Sequence, residues 1–148
     1  MTKAFLLLAL FGLFSTSSCK KNDEEIRPTN YDILAMETGH WEWDKTLYFG
    51  PSYTPATEGY TRQLVFRADR QLLLRRSNQS DKTTSYQLSV NPSGMPTVTY
   101  NIDEGNLTNN DNKYYRISQE NGEQILQLTG EEASRDAGGY ETYHWVAE

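Results

Sequence analysis

The sequence predicts an all-β fold: a small antiparallel up-and-down β-barrel of about eight strands, preceded by a signal peptide and a flexible tether. Three observations predict it. Segments beyond residue 38 alternate apolar and polar side chains, the period of half-buried antiparallel strands. Turn-forming residues punctuate them at short intervals. Strands in series on short turns read as a meander, and eight of them suffice to close a cylinder and hide its edges.

Along the chain, residues 1–18 come first. A single Lys3 precedes the apolar run Ala4 to Phe14, followed by the small residues Ser15, Thr16, Ser17 and Ser18. This is the layout of a secretory signal, and the run falls short of the roughly 20 apolar residues a membrane-spanning helix needs. Cys19, the one cysteine of the chain, stands where such a signal is cut. The stretch Thr16-Ser17-Ser18-Cys19 resembles a bacterial lipobox, which implies acylation of Cys19 and attachment to a membrane through its acyl chains. The plain alternative is an ordinary cleaved signal with an incidental thiol. Several acyl chains make a lasting anchor where one holds only marginally.

Without Lys3 the chain keeps 13 of its 14 basic residues against 20 acidic ones. That balance argues against nucleic acid or anionic headgroups as partners. With Cys19 acylated no thiol remains for a disulfide or a thiolate metal site. Residues 19–37 read as a lipid-anchored tether with a possible short helix. Lys20-Lys21-Asn22-Asp23-Glu24-Glu25 is a solvated run by composition. It also resembles the acid-rich export signals of Bacteroidota surface lipoproteins, which implies the outer membrane and the cell surface. Residues 31–37 suit one or two helical turns, with Asn30 as a cap and Ile33, Leu34 and Met36 available to close a core.

The strands expected are 40–49, 60–67, 71–76, 83–90, 96–102, 113–119, 123–129 and 140–147. Their inward rows include Trp41 and Trp43, Leu64 and Phe66, Tyr86 and Leu88, and Val98, Tyr100 and Ile102. Tyr115 and Ile117, Leu126 and Leu128, and Tyr143 and Trp145 continue the series. Asn121-Gly122 is a strong two-residue hairpin turn. Between 60–67 and 71–76, a loop of Ala68-Asp69-Arg70 pairs Phe66 with Leu72 and Leu64 with Leu74. A two-residue loop would set Leu64 against Arg75, so apolar matching selects the longer loop. It places Arg70 in the left-handed position that glycine favours, at a cost of roughly 1 kcal/mol.

Thr38-Gly39-His40-Trp41-Glu42-Trp43, Tyr53-Thr54-Pro55, Gly59-Tyr60-Thr61, Leu64-Val65-Phe66 and Asp69 together resemble the lipocalin-like lipoproteins of Bacteroidota. The likeness covers residues 38–76, and it implies that Trp41 closes one barrel end and that the loop 50–59 overhangs the other. The Thr-Asp-Tyr motif of true lipocalins is absent from this chain, so retinoid-type transport is not implied.

Candidate ligand-binding residues are Trp43, Arg62, Arg76, Tyr86, Tyr100 and Tyr115. The chosen register sets Arg62 beside Arg76 on the inward face, where like charges are unfavourable without an anion or water. Either they receive an acidic ligand group at the mouth, or they are solvated strand ends. The aromatic residues are core or line a small pocket. Loop 50–59 is a lid or a surface loop stiffened by Pro51 and Pro55. His40 and His144 lie on the opposite face and lack a third metal ligand. Asp103, Glu104 and Asp111 fit no EF-hand spacing, and Arg135 is a candidate to pack on the motif tryptophan. No catalytic set, cofactor or metal site stands out. Two functions remain: a surface lipoprotein binding a small apolar or acidic ligand, or a non-catalytic accessory protein of an outer-membrane uptake or inhibitor system, with a filled barrel and a surface protein partner.

Overall fold

The computed structural model describes residues 27–48, 50, 52–101, 112–130 and 139–148. The signal, Cys19, the run Lys20–Glu25, Ile102, Asp103, Glu104, Asp111 and Arg135 lie outside the described residues. Among the described residues nine strands occur in chain order: β1 Gly39–Leu47, β2 Ser52–Tyr53, β3 Arg62–Phe66, β4 Gln71–Arg76, β5 Lys82–Val90, β6 Pro96–Tyr100, β7 Asn112–Glu120, β8 Glu123–Gly130 and β9 Tyr140–Ala147. Two short helices accompany them, α1 Tyr31–Leu34 and α2 Pro55–Glu58. Each long strand pairs antiparallel with its chain neighbour, and β1 pairs with β9. The result is the expected closed barrel of eight strands. β2 is a two-residue addition, set on β1 through Thr46↔Tyr53 and Leu47↔Ser52.

The β3–β4 hairpin has the register that apolar matching selects. Phe66 faces Leu72, Leu64 faces Leu74 and Arg62 faces Arg76. Arg70 is left-handed at φ 66°, and the Asp69 carboxylate accepts from the Gln71 backbone N–H at 3.1 Å. Asn121 and Gly122 have φ values of 52° and 88°, the positive pair that a tight hairpin turn demands.

At one end the barrel is shut by the segment before β1. Tyr31 and Leu34 of α1 are buried in the main core with Trp41, Phe66 and Leu72. The Trp41 indole donates to the Leu34 carbonyl at 3.1 Å and meets Trp145 edge-on at 5.1 Å. Pro28 is buried as well, so the folded body begins ahead of the boundary at 38 that alternation marks. Asn30 precedes the helix but is left-handed (φ 64°) and makes no side-chain cap. Its carbonyl, rather than its side chain, receives the Leu34 N–H at 2.9 Å. Gly39 is required by close approach: a Cβ there would lie 2.2 Å from the Val146 carbonyl oxygen across the β1–β9 seam. The Gly-x-Trp pattern therefore joins a seam residue to an end-plug.

The connections at this closed end are tight: 67–70, 91–95 and 121–122. β1, β6 and β8 end, and β3, β7 and β9 begin, at the opposite end. Segment 50–59, expected as a lid or an irregular loop, contains β2 and α2. The Thr54 hydroxyl accepts from the Thr57 N–H at 3.2 Å, and the Thr57 hydroxyl accepts from the Thr54 N–H at 2.8 Å. With Pro55 at the first turn and Gly59 left-handed at its end, local chemistry fixes the helix there.

Candidate functional site

The mouth is built from strand register. Arg76 faces Arg62 across β3–β4. The pairs Trp41↔Leu64 and Glu42↔Gln63, continued one step, bring Trp43 beside Arg62. Trp43 faces Tyr143 across β1–β9. The Arg62 guanidinium lies 5.0 Å from the Trp43 ring and 5.4 Å from the Tyr143 ring. Tyr60, just before β3, stacks on Trp43 at 5.6 Å with planes 14° apart. Arg76 lies 3.6 Å over the Tyr60 ring. The order is Arg76, Tyr60, Trp43, Arg62, Tyr143, so aromatic rings separate the two cations that register brings side by side. Each cation–π contact contributes about 0.5–2 kcal/mol.

Beside this stack, sharing Arg62 and Tyr143 with it, lies a buried ion cluster. Glu141 accepts from the Lys113 ammonium at 2.6 Å, from the Arg62 guanidinium at 2.9 Å and from the Tyr143 hydroxyl at 2.5 Å. Lys113 is 2% exposed and Glu141 4%. Lys113 stands opposite Gly130 on β8, where no side chain intervenes on the way to β9. Burial pushes the Glu141 carboxyl up, but Lys113 and Arg62 outweigh it and hold the group at about 2. Burial pulls the Lys113 ammonium down, and the Glu141 charge reverses this, leaving it above its ordinary value. Burial, with the Glu141 charge beside it, raises the Tyr143 hydroxyl well above its ordinary value. All three groups are locked in one protonation state near neutrality, whereas a general acid or base works best with a pKa near the operating pH.

The other candidates belong to the closed end. The Tyr86 hydroxyl donates to the Arg67 carbonyl at 2.7 Å, and Tyr115 donates to the Thr29 carbonyl at 3.1 Å. Burial pushes the Tyr115 hydroxyl up to about 12. Arg70 lies 4.9 Å from the Tyr31 ring and 5.6 Å from the Tyr86 ring. These contacts explain an arginine in a glycine-type conformation: cation–π attraction offsets backbone strain. Arg70→Ala, which loses the attraction and keeps the strain, is expected to be about 1 kcal/mol less stable than Arg70→Gly, which loses both. Urea midpoints of the two variants check the order.

Of the residues the sequence singles out, the structure brings Trp43, Arg62 and Arg76 together. Tyr100 is buried below them, 6.3 Å from Phe66. Tyr86 and Tyr115 are at the far end. Sequence reasoning missed Tyr60, Lys113, Glu141 and Tyr143 as site residues. The signal was present: alternation through Tyr115 and Tyr143 also turns Lys113 and Glu141 inward. On the outer face, His40 contacts Glu42 at 3.2 Å and Glu148 at 3.1 Å, and His144 contacts Asp44 at 2.6 Å. Among the described residues no group of three His, Cys, Asp or Glu side chains is placed to hold a metal. A cleft of about 540 Å³ beside Met95, Pro96, Tyr114 and Arg116 opens on the outer wall, away from the mouth.

Fold and site define a closed eight-stranded antiparallel barrel with a plugged end and a cationic, aromatic mouth, an architecture that fits a lipocalin-like binding fold. No family model, curated protein or solved structure matches this chain.

Proposed function

We propose that the protein is a non-catalytic, lipid-anchored barrel of the outer membrane that binds a small ligand at its mouth through an acidic group. The observation that carries this reading is the stack Arg76–Tyr60–Trp43–Arg62 at the end opposite the α1 plug. Arg62, Arg76 and Lys113 collect at this end, and the Glu141 carboxylate offsets one of their three charges, in a chain with net charge −6. Local positive potential on an acidic protein favours an anion there over the general surface. The buried ion cluster at the same end favours binding at the rim over a deep apolar ligand, and its locked protonation states favour a non-catalytic role. The anchor rests on the apolar run before Cys19 and on that residue alone. Cys19→Ala is expected to move the protein from the membrane to the soluble fraction.

A thermal-shift screen of short-chain acids, fatty acids and acidic sugars tests the ligand reading. A binder at 100-fold its Kd adds about 2.7 kcal/mol of stability. Arg76→Ala is expected to abolish that shift, and absence of a shift with every acid would overturn the reading.

One observation favours the accessory-protein alternative. Leu47, Tyr48, Tyr53 and Tyr140 are exposed around the rim, and Tyr48 and Tyr53 meet edge-on at 5.6 Å. A partner captured by the wild-type protein and lost in Tyr48→Ser/Tyr53→Ser, without any ligand shift, would establish it.

A further inference from the structure

We infer that the mouth points away from the membrane and takes its acidic ligand from the aqueous medium rather than from the bilayer. This rests on the anchored, ligand-binding reading above.

The chain enters the barrel at the closed end. Pro28 is buried there, the Thr29 carbonyl accepts from Tyr115, and α1 packs beneath Trp41. An anchor on Cys19 therefore pulls on that end. The roughly nine residues from Cys19 to Pro28 reach about 30 Å when fully extended. β1 has 9 residues, about 30 Å of strand, and a barrel tilt of about 40° leaves a wall about 23 Å high. Laying the mouth on the bilayer would take up about 23 Å of that roughly 30 Å reach along the wall alone. Setting the closed end down takes up none of it.

A second observation agrees. Val90, just before the 91–95 turn at the closed end, and Met95, its last residue, are exposed, 47% and 45%. Met95 lines the same cleft as Thr29 and Asn30, so an apolar tip stands beside the root of the tether. Two apolar side chains and an anchor at one end favour one face toward lipid. The rim residues Tyr48, Tyr53, Arg62 and Arg76 then face outward.

The test uses the full acylated chain in phosphatidylethanolamine/phosphatidylglycerol vesicles carrying a headgroup acceptor dye. With Cys19 acylated, one introduced cysteine is the sole thiol for a donor dye. Ser93→Cys marks the closed end and Thr57→Cys marks the mouth. Energy transfer at least twofold greater from position 93 is the expected result. Equal transfer, or more from position 57, overturns the orientation. Iodide quenching of the dye at position 57 is expected to agree within twofold between free and vesicle-bound protein, and a larger protection also overturns it. A fatty acid or phospholipid that co-purifies with wild type and is lost in Arg76→Ala overturns the aqueous source. Failure of the wild-type chain to float with the vesicles removes the anchor and this inference with it. Normal flotation with equal transfer removes only the orientation.

Discussion

Glu141→Ala is expected to destabilise the barrel by about 3–5 kcal/mol, because it leaves two buried cations without their shared carboxylate. Lys113 and Arg62 both bond that group, and the low-exposure pocket cannot bring water in their place. Lys113→Met is expected to lose less, since Glu141 keeps Arg62 at 2.9 Å and Tyr143 at 2.5 Å. The combination Glu141→Leu, Lys113→Met, Arg62→Met is expected to recover most of the loss, as apolar replacement of a whole buried ion cluster is often neutral. Urea denaturation of the three proteins gives the ranking. Equal stability of Glu141→Ala and wild type would refute a buried, paired carboxylate.

The same cluster makes stability depend on pH in a definite direction. In the folded chain the Glu141 carboxyl titrates at about 2, below the ~4.3 of an unfolded glutamate. A depressed folded value means that the stabilisation is complete above about pH 4.3 and drains away as pH falls from there towards 2. Glu141→Gln removes this contribution, so its urea midpoint is expected to vary less than that of wild type across that window.

Much of the architecture is legible because alternation and apolar matching act locally. The β3–β4 register follows from Phe66, Leu64, Leu72 and Leu74 alone, and it fixes Arg62 against Arg76. What those arginines do is not local. Arg62 finds Glu141 79 positions away, and Lys113 finds it 28 positions away. The Arg62 contact depends on closure between β1 and β9, and the Lys113 contact reaches across β8 past Gly130; no short-range pattern encodes either. Extending the inward rows one step would have placed Lys113 and Glu141 inside, although not in contact. Tyr60 lies just outside a strand, so period two says nothing of its stacking on Trp43. The α2 cap was readable, since Thr54, Pro55, Thr57 and Gly59 are helix start and stop residues. Pro51 and Pro55 in a connection of ten residues favour a loop reading instead.

Trp41→Ala is expected to cost about 3–5 kcal/mol. This is the same range as Glu141→Ala, through a different mechanism and at the opposite end. Trp41 is fully buried; its ring meets Trp145 at 5.1 Å and its N–H satisfies the Leu34 carbonyl. Truncation opens a cavity and strands that carbonyl at the end of α1. The helix has only 4 residues, far too few to persist without tertiary support. The loss should therefore be uneven. Amide exchange at 31–35 is expected to accelerate far more than at the β7–β8 ladder, which closes on its own turn. Trp41→Phe keeps most of the apolar contact but not the donor, and should fall between the two. If Trp41→Ala slowed or left unchanged the exchange of 31–35, the tryptophan would not be what seats the helix. The shutting of this end would then have to come from Tyr31 and its bond to the Ala68 carbonyl.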